Sequence, residues 1–281
     1  METLEQLPPF VSASWLEAHL EEVVVADLRW SLDGSEGPAT YRERHLPGAV
    51  YVDLDTVAAG PPTASEGRHP LPDPEHFAQA LGELGIGEDA PVVAYDQGPG
   101  AIAARLVWML RAIGQPAGVL EGGLAGWSGP TETGEATRTA VTRTPVPWPR
   151  DRLADADRTA ASALRDGAVV LDARDPERYR GESEPVDARP GHIPGAANLP
   201  FTDNLEADGR LRSAAELRER YGAVGALDAD EVIAYCGSGV TACHDLLVLE
   251  QLGRPGRLYP GSWSAWSQDE ARAAVRGSAP R

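Results

Sequence analysis

Cys236 is the residue best placed for covalent chemistry, because small residues follow it directly. The segment CGSGVT at 236–241 comes after the apolar run EVIAY at 231–235 and before a helical pattern. Small residues let N–H groups of the loop and of the helix N-terminus turn towards the sulfur, which favours the thiolate over the thiol. The sequence therefore predicts a nucleophilic thiolate at the end of a strand.

Other protein classes use loops of similar composition. The spacing GxGxxA at 237–242 occurs in dinucleotide-binding loops, but RLY at 257–259 replaces the acid that such loops need about 20 residues later. A cysteine phosphatase needs an arginine where Ala242 stands. What remains is a thiolate that accepts sulfur, either in an enzyme or in a sulfur-carrier or redox-binding module without turnover.

The second cysteine, Cys243, falls on the apolar side of the helical pattern. Cysteine is one of the residue types most often buried, so packing is its expected role. Seven residues of helix separate the two thiols by roughly 10 Å, which is beyond the reach of a disulfide. Two unpaired cysteines are typical of a reducing compartment.

The elements around Cys236 occur twice in the chain. The run VVVAD at 23–27 corresponds to AVVLD at 168–172. Each run is followed by a His-x-Pro-Gly-Ala motif, at 45–49 and at 192–196. Such self-similarity indicates two copies of one fold.

Each copy continues with a second apolar run, a glycine-containing loop and a helical pattern. The helical patterns cover 101–113 and 241–252, and Gly114 and Gly253 stand where glycine commonly ends a helix. Short β-branched runs that alternate with helices are typical of parallel α/β domains. The predicted fold class is α/β, with two tandem domains that each contain a mainly parallel sheet flanked by helices.

The predicted domains are residues 1–130 and 151–281, joined by a linker at 131–150. The copies differ at one informative position, since the first has Asp96 where the second has Cys236. Ligands of open α/β sheets bind at the carboxyl ends of the strands. Only the C-terminal domain is therefore expected to be catalytic.

The Cys236 motif, the tandem repeat and the two His-x-Pro-Gly-Ala motifs together resemble the two-domain rhodanese-type sulfurtransferases. The similarity runs from SWL at 14–16 to GSWSAW at 261–266. The Gly-Ser pair at 237–238 is similar to the 3-mercaptopyruvate branch, whereas thiosulfate enzymes of the family typically carry two basic residues there. The resemblance implies two rhodanese-like domains, with 3-mercaptopyruvate as the expected donor and thiosulfate as the alternative.

The resemblance also implies a mechanism. Cys236 attacks the donor sulfur, becomes a persulfide and releases pyruvate, and a thiol or cyanide then takes the sulfur. Ser238, His69 and Asp55 match a relay that helps to release pyruvate. A thioredoxin-like reductant is a further expected partner.

Arginine suits the carboxylate of a 2-oxo acid because a planar guanidinium binds it with two hydrogen bonds. Arg178 matches the family's substrate-binding arginine. The family often places a second arginine after a Glu-Pro pair, but Val186 follows Glu184-Pro185 here, and Arg189 is expected to replace it. The other residues expected to bind substrate are Gly237, Gly239, Val240 and Thr241.

Several polar residues are expected to have structural roles. The histidines of the two Pro-Gly motifs recur in both copies, including the copy without a thiol, which favours a turn-stabilising role. The residues expected to hold turns and loops in place are His45, His192, Asp27, Asp172 and Arg174. His244 and Asp245 are expected on a helix surface.

Composition limits the partners. The net charge of -18 disfavours binding to nucleic acid or to an anionic membrane. All 25 basic residues are arginine, which excludes a lysine Schiff base and a Walker lysine. Scattered histidines predict no metal, and no other cofactor is expected. No apolar run reaches the roughly 18 residues of a membrane span, and the N-terminus lacks signal-peptide features, so a cytoplasmic location is expected.

Overall fold

Two parallel β-sheets, each with its own hydrophobic core, organise the chain. The computed structural model describes residues 7–279. The first unit comprises residues 7–60, Leu71–Trp148 and Ala207–Arg210, and the second comprises Pro61–Pro70, Pro149–Glu206 and residues 211–279. A short segment from the first half of the chain, Pro61–Pro70, therefore belongs to the second unit.

Strands and helices alternate in the first unit. Its strands are β1 (Phe10–Val11), β2 (Val24–Asp27), β3 (Val50–Tyr51), β4 (Val92–Tyr95) and β5 (Ala117–Leu120). Its helices are α1 (Ala13–His19), α2 (Pro38–Glu43), α3 (Pro74–Glu83), α4 (Ala103–Ala112) and α5 (Gly123–Gly126). The strands pair in parallel in the order β1-β5-β4-β2-β3. Strands β2 and β4 are buried along their length, as expected when both faces of a sheet are covered.

The second unit repeats this arrangement. Its strands are β6 (Ala168–Asp172), β7 (Ala197–Asn198), β8 (Glu231–Tyr235) and β9 (Arg257–Leu258). Its helices are α6 (Ala156–Ala163), α7 (Pro176–Arg180), α8 (Ala214–Ala223), α9 (Ala242–Gln251) and α10 (Ser262–Trp266). The strands pair in parallel in the order β7-β6-β8-β9. A single parallel bridge between Leu153 and Leu258 takes the place that β1 has beside β5.

Local sequence determines where the main helices begin and end. Asp155 caps α6 by accepting the Arg158 N–H at 2.7 Å, and Ser213 caps α8 together with Glu216. Gly114 and Gly253 follow α4 and α9 with φ of +88° and +81°, which confirms them as the glycines that end these helices.

The two cores are built around equivalent tyrosines. Tyr95 and Tyr235 are the last residues of β4 and β8, and both are fully buried. The Tyr95 hydroxyl accepts the Leu46 N–H at 3.0 Å, and the Tyr235 hydroxyl accepts the Ile193 N–H at 3.1 Å. Each tyrosine thus ties a central strand to the His-x-Pro-Gly-Ala motif of its own unit.

The segment predicted as a linker runs along the first unit in extended form. Residues 133–149 contain no helix or strand. The Val141 N–H donates to Gly82 O at 2.9 Å, and a Cβ on Gly82 would lie 2.4 Å from Val141 O. Trp148 Nε1 donates to Pro72 O at 2.8 Å. Hydrogen bonds therefore hold this segment against the first unit.

These sheets and helices confirm the predicted α/β class with parallel sheets flanked by helices. Among residues 7–279, no helix combines the length and the apolar character that crossing a bilayer requires.

Candidate active site

Cys236 directly follows β8 and lies at the carboxyl edge of the second sheet. The residue is 2% exposed, and the Gly239 N–H donates a hydrogen bond to Cys236 Sγ at 3.2 Å. Gly239 has φ of +79°, and a Cβ there would lie 2.6 Å from Pro260 O. Only glycine fits this turn, which brings a hydrogen-bond donor to the sulfur.

The start of α10 fixes the backbone on both sides of the sulfur. Ser262 Oγ accepts the Cys236 N–H at 3.2 Å and donates to Tyr259 O at 3.0 Å. The Trp263 N–H donates to Cys236 O at 3.0 Å. Ser262 has φ of +51°, a left-handed conformation that L-residues adopt at a cost. Its counterpart in the first unit, Gly123, has φ of +53°.

Ser262 is not among the site residues predicted from the sequence. The signal was available in the repeat, because Gly122-Gly123 aligns with Gly261-Ser262. A serine where the other copy has glycine indicates that the hydroxyl has a role, and that this role offsets the backbone strain.

Ser238 and His69 form a buried pair beside the sulfur loop. Ser238 Oγ and His69 Nδ1 lie 2.8 Å apart. The two residues are 8% and 7% exposed. The structure thus brings together two of the three predicted relay residues, and His69 is a buried partner of the loop.

The segment Pro61–Pro70 carries His69 to the second unit. A turn joins Thr63 and Gly67 through two backbone hydrogen bonds of 3.1 and 2.9 Å. A Cβ on Gly67 would lie 2.6 Å from Gly261 O, so the chain passes close to the start of α10. The Arg68 N–H then donates to Ser264 Oγ at 3.1 Å.

Asp55, the third predicted relay residue, belongs to the first unit. Its carboxylate accepts a hydrogen bond from Trp30 Nε1 at 2.9 Å. Its participation in a relay stays a prediction.

Arg178 lies in the last turn of α7. Its ion-pair partners are not the acidic residues nearest to it in the chain. Its Nη2 contacts Glu184 Oε1 at 2.7 Å and Asp187 Oδ2 at 2.8 Å. Asp187 Oδ1 also accepts a short hydrogen bond from Arg68 Nη1. A Cβ on Gly237 would lie 3.3 Å from Arg178 Nη1 and 3.1 Å from Arg68 Nη2. Two guanidinium groups therefore flank the residue next to Cys236.

The structure places Arg189 elsewhere than in the expected donor-binding role. Its guanidinium donates to backbone carbonyls in the last turn of α10 and just beyond it, at 2.8 to 3.1 Å. The four acceptors are Trp266 O, Ser267 O, Asp269 O and Arg272 O. Arg189 thus satisfies the end of a helix and holds the chain beyond it.

The remaining residues of the loop differ in exposure. Val240 is buried, and Thr241 is partly exposed at the N-cap position of α9. Cys243 is fully buried and its thiol donates to Gly239 O at 3.3 Å, which confirms its packing role. Within residues 7–279, His, Cys, Asp and Glu side chains form no cluster of three that could hold a metal ion.

The residues predicted to hold turns and loops have those roles. The His45 Nδ1 and His192 Nδ1 atoms contact the carbonyls of Tyr41 and Tyr179 at 3.0 and 2.8 Å. The Arg174 guanidinium pairs with the Asp172 carboxylate at 2.7 Å, and Arg29 pairs with Asp27 at 2.9 Å in the other unit. All four charged groups are buried at the ends of the central strands.

The prediction that His244 and Asp245 lie on a helix surface is wrong, because both are fully buried. Asp245 Oδ1 accepts from Asn204 Nδ2 at 2.7 Å and from the Tyr221 hydroxyl at 3.1 Å. Burial raises the pKa of Asp245 to about 7 and lowers the pKa of His244 to about 3. Packing covers both sides of α9, so no face of it is left for solvated polar residues.

Comparison with known proteins agrees with this arrangement. Residues 12–130 and 157–269 match the protein family described as the rhodanese-like domain. A Pseudomonas aeruginosa protein named a probable 3-mercaptopyruvate sulfurtransferase is 43% identical, over 95% of this chain and 98% of its own length. The 3-mercaptopyruvate sulfurtransferase of Escherichia coli is 36% identical, over 92% and 94% of the two chains.

A third relative carries a different substrate in its name. The thiosulfate sulfurtransferase of Cricetulus griseus is 34% identical, over 91% of both chains. Among solved structures, SseA from Escherichia coli, described in connection with the rhodanese fold of 3-mercaptopyruvate sulfotransferases, is 34% identical with a TM-score of 0.79. The match covers 92% of this chain and 99% of SseA.

Proposed function

This chain belongs to the rhodanese-like family and is a sulfurtransferase, and we propose that it transfers sulfur from 3-mercaptopyruvate to a thiol or cyanide through a persulfide on Cys236. The predicted C-terminal domain, residues 151–281, carries the nucleophile, and the segment Pro61–Pro70 adds His69 to it. The first domain has Asp96 in place of the nucleophile and supports the fold. A thioredoxin-like protein is proposed as the thiol that receives the sulfur in turnover.

The hydrogen bond between Ser238 and His69 is the observation that carries the choice of donor. The Cys236 thiolate attacks the sulfur of 3-mercaptopyruvate, and the carbon–sulfur bond breaks. The electron pair of that bond stays on carbon as the enolate of pyruvate, which must take up a proton. A hydroxyl and an imidazole 2.8 Å apart can deliver a proton beside the sulfur loop.

Thiosulfate would not need this proton. When the thiolate attacks its outer sulfur, sulfite leaves with the electron pair and is stable as a dianion. A buried Ser-His pair would then have no chemical task. The two guanidinium groups beside Gly237 favour an anionic donor of either kind, so thiosulfate is the second candidate.

The test compares kcat/KM for 3-mercaptopyruvate and thiosulfate with cyanide as the shared acceptor. The wild type is expected to prefer 3-mercaptopyruvate, and Cys236→Ser is expected to lose at least about 10³-fold with both donors. Cys243→Ala is the matched control, because it removes the other thiol, and it should retain most of the activity. Mass spectrometry without an acceptor should find one added sulfur on the wild type and none on Cys236→Ser.

The relay is tested by Ser238→Ala and His69→Gln. Each should lower kcat with 3-mercaptopyruvate by about 10²-fold and leave turnover of thiosulfate largely unchanged, because only the first donor needs a proton. A wild-type preference for thiosulfate, or equal losses with both donors, would contradict the proposed donor. Retained turnover in Cys236→Ser would contradict the proposed persulfide on Cys236.

A further inference from the structure

Two positively charged groups meet at one point beside the nucleophile. Arg68 Nη2 and Arg178 Nη1 lie 3.1 and 3.3 Å from the position that a Cβ on Gly237 would occupy. Gly237 directly follows Cys236, and the missing side chain leaves that position empty. An anion there could accept hydrogen bonds from both arginines while its sulfur faces Cys236.

One carboxylate bridges the same two arginines. Asp187 Oδ1 accepts from Arg68 Nη1, and Asp187 Oδ2 accepts from Arg178 Nη2 at 2.8 Å. The Asp187 side chain is only 2% exposed, so solvent screens its charge weakly. Arg178 also pairs with Glu184, which in turn contacts Arg174 at 3.2 Å. Any anion bound by Arg68 and Arg178 therefore lies near the negative charge of Asp187.

From this geometry we propose that Arg68, Arg178 and Asp187 select the sulfur donor by its charge. Arg68 and Arg178 bind the anionic end of the donor, and Asp187 disfavours an end that carries two negative charges. Asp187 thereby reduces the advantage that two arginines alone would give the thiosulfate dianion over a 2-oxo carboxylate. The proposal deepens the proposed function and rests on it, because it concerns donors of the Cys236 reaction.

Arg68 supplies the second guanidinium beside Gly237, which the sequence after Glu184-Pro185 does not supply. Val186 stands directly after Glu184-Pro185, and Arg189 is engaged with the carbonyls beyond α10. Arg68 comes instead from Pro61–Pro70, the segment that also positions His69 against Ser238. The backbone of Arg68 is fixed by its hydrogen bond to Ser264 Oγ at 3.1 Å.

Charge selection predicts opposite effects of two substitutions. Coulomb energy is proportional to the charge of the donor, so a change at Arg68 or Asp187 affects a dianion about twice as strongly as a monoanion. Removing a positive charge must lower the thiosulfate to 3-mercaptopyruvate ratio of kcat/KM. Removing a negative charge must raise it. A general loss of fold would reduce both donors alike and leave the ratio unchanged.

The experiment measures this ratio for the wild type, Arg68→Gln and Asp187→Asn. We expect a decrease of about five- to tenfold in Arg68→Gln and an increase of similar size in Asp187→Asn. Arg180→Gln is the matched control, because it removes an arginine of the same region that forms an exposed ion pair with Glu182. Its ratio should stay within about twofold of the wild type.

An unchanged ratio in both variants, or a shift in the same direction, would overturn the proposal. Thermal melting checks that each variant is folded. If Asp187→Asn does not fold, Arg68→Lys is compared with Arg68→Gln. Lysine restores the positive charge, so the ratio should return towards the wild-type value. A ratio that stays at the Arg68→Gln value would overturn charge selection. Loss of the proposed function would look different, since it would appear as turnover in Cys236→Ser or as a wild type that prefers thiosulfate.

Discussion

The Asp245 carboxyl group lies in the interior of the second unit, and only one of its two oxygens accepts hydrogen bonds from the described residues. Asn204 and Tyr221 both donate to Oδ1, whereas Oδ2 has no hydrogen-bond partner among the described residues. Burial raises the pKa of this group to about 7. A proton on Oδ2 removes the cost of a buried charge, so the folded protein keeps the acid neutral over a wider pH range than the unfolded chain does.

This residue gives the unfolding free energy a definite pH dependence. The unfolded carboxyl has a pKa of about 3.9, so from there up to pH of about 7 the folded state holds a proton that the unfolded state has released. The stability that this group contributes is complete below a pH of about 3.9 and is lost as the pH rises through about 7. Asp245→Asn cannot ionise, so it should be more stable than the wild type by roughly 2 to 4 kcal/mol at pH of about 8, with no gain near pH 4.

Urea unfolding of the wild type and Asp245→Asn across this range measures the effect. Asp228→Asn serves as the control, because Asp228 is an exposed aspartate of the same unit. A difference between Asp245→Asn and the wild type that is constant with pH would mean that burial of the charge is not its source.

At the level of the elements, the two strand-to-helix loops show how one fold is used in two ways. In the second unit the loop after β8 turns the Gly239 N–H towards sulfur. In the first unit the loop after β4 turns four N–H groups towards the Asp96 carboxylate, at 2.8 to 3.3 Å. The four donors are Gly98, Gly100, Ile102 and Ala103. A fixed carboxylate thus fills the position where the second unit has Cys236.

We expect Asp96→Ala to destabilise the protein by about 2 to 4 kcal/mol, because it leaves several buried N–H groups without an acceptor. Turnover per folded molecule should stay close to that of the wild type, since the proposed sulfur carrier, Cys236, is in the other unit. Asp96→Asn is the matched variant, and its remaining oxygen should recover part of the loss. Urea unfolding and kcat/KM measured together would contradict this role if stability were unchanged or if turnover fell selectively.

The elements were more predictable than the side chains that meet between them. The helix predicted at 241–252 is Ala242–Gln251, because periodicity and the glycine at its end are local signals. The pairing of His69 with Ser238 joins residues 169 positions apart, and it required knowledge of the family. Arg68 gave no local signal, because its role depends on where Pro61–Pro70 packs. Asp245 was misplaced because periodicity cannot reveal that α9 is covered on both sides.

At the scale of the whole molecule, the charge is unbalanced although many arginines are locally paired. Acidic residues number 43 and arginines 25, which leaves a net charge of -18. Buried arginines such as Arg174 are held by carboxylates, and others such as Arg189 bind backbone carbonyls. The excess acids must therefore lie mainly at the surface, where they repel one another in the folded state.

This imbalance predicts that salt stabilises the protein at neutral pH. The Debye length falls from about 20 Å or more in dilute buffer to a few ångströms at high salt, so repulsion between separated surface acids is screened while buried ion pairs are little affected. We expect Tm to rise by about 2 to 5 °C when sodium chloride is raised from about 20 mM to about 500 mM. Chloride is chosen because sulfate also strengthens hydrophobic burial.

The same titration near the isoelectric pH is the control, since the net charge is then close to zero and the rise should disappear. A Tm that falls with salt at neutral pH would mean that attractive surface pairs outweigh the repulsion, and an equal rise at both pH values would assign the effect to the salt rather than to the charge.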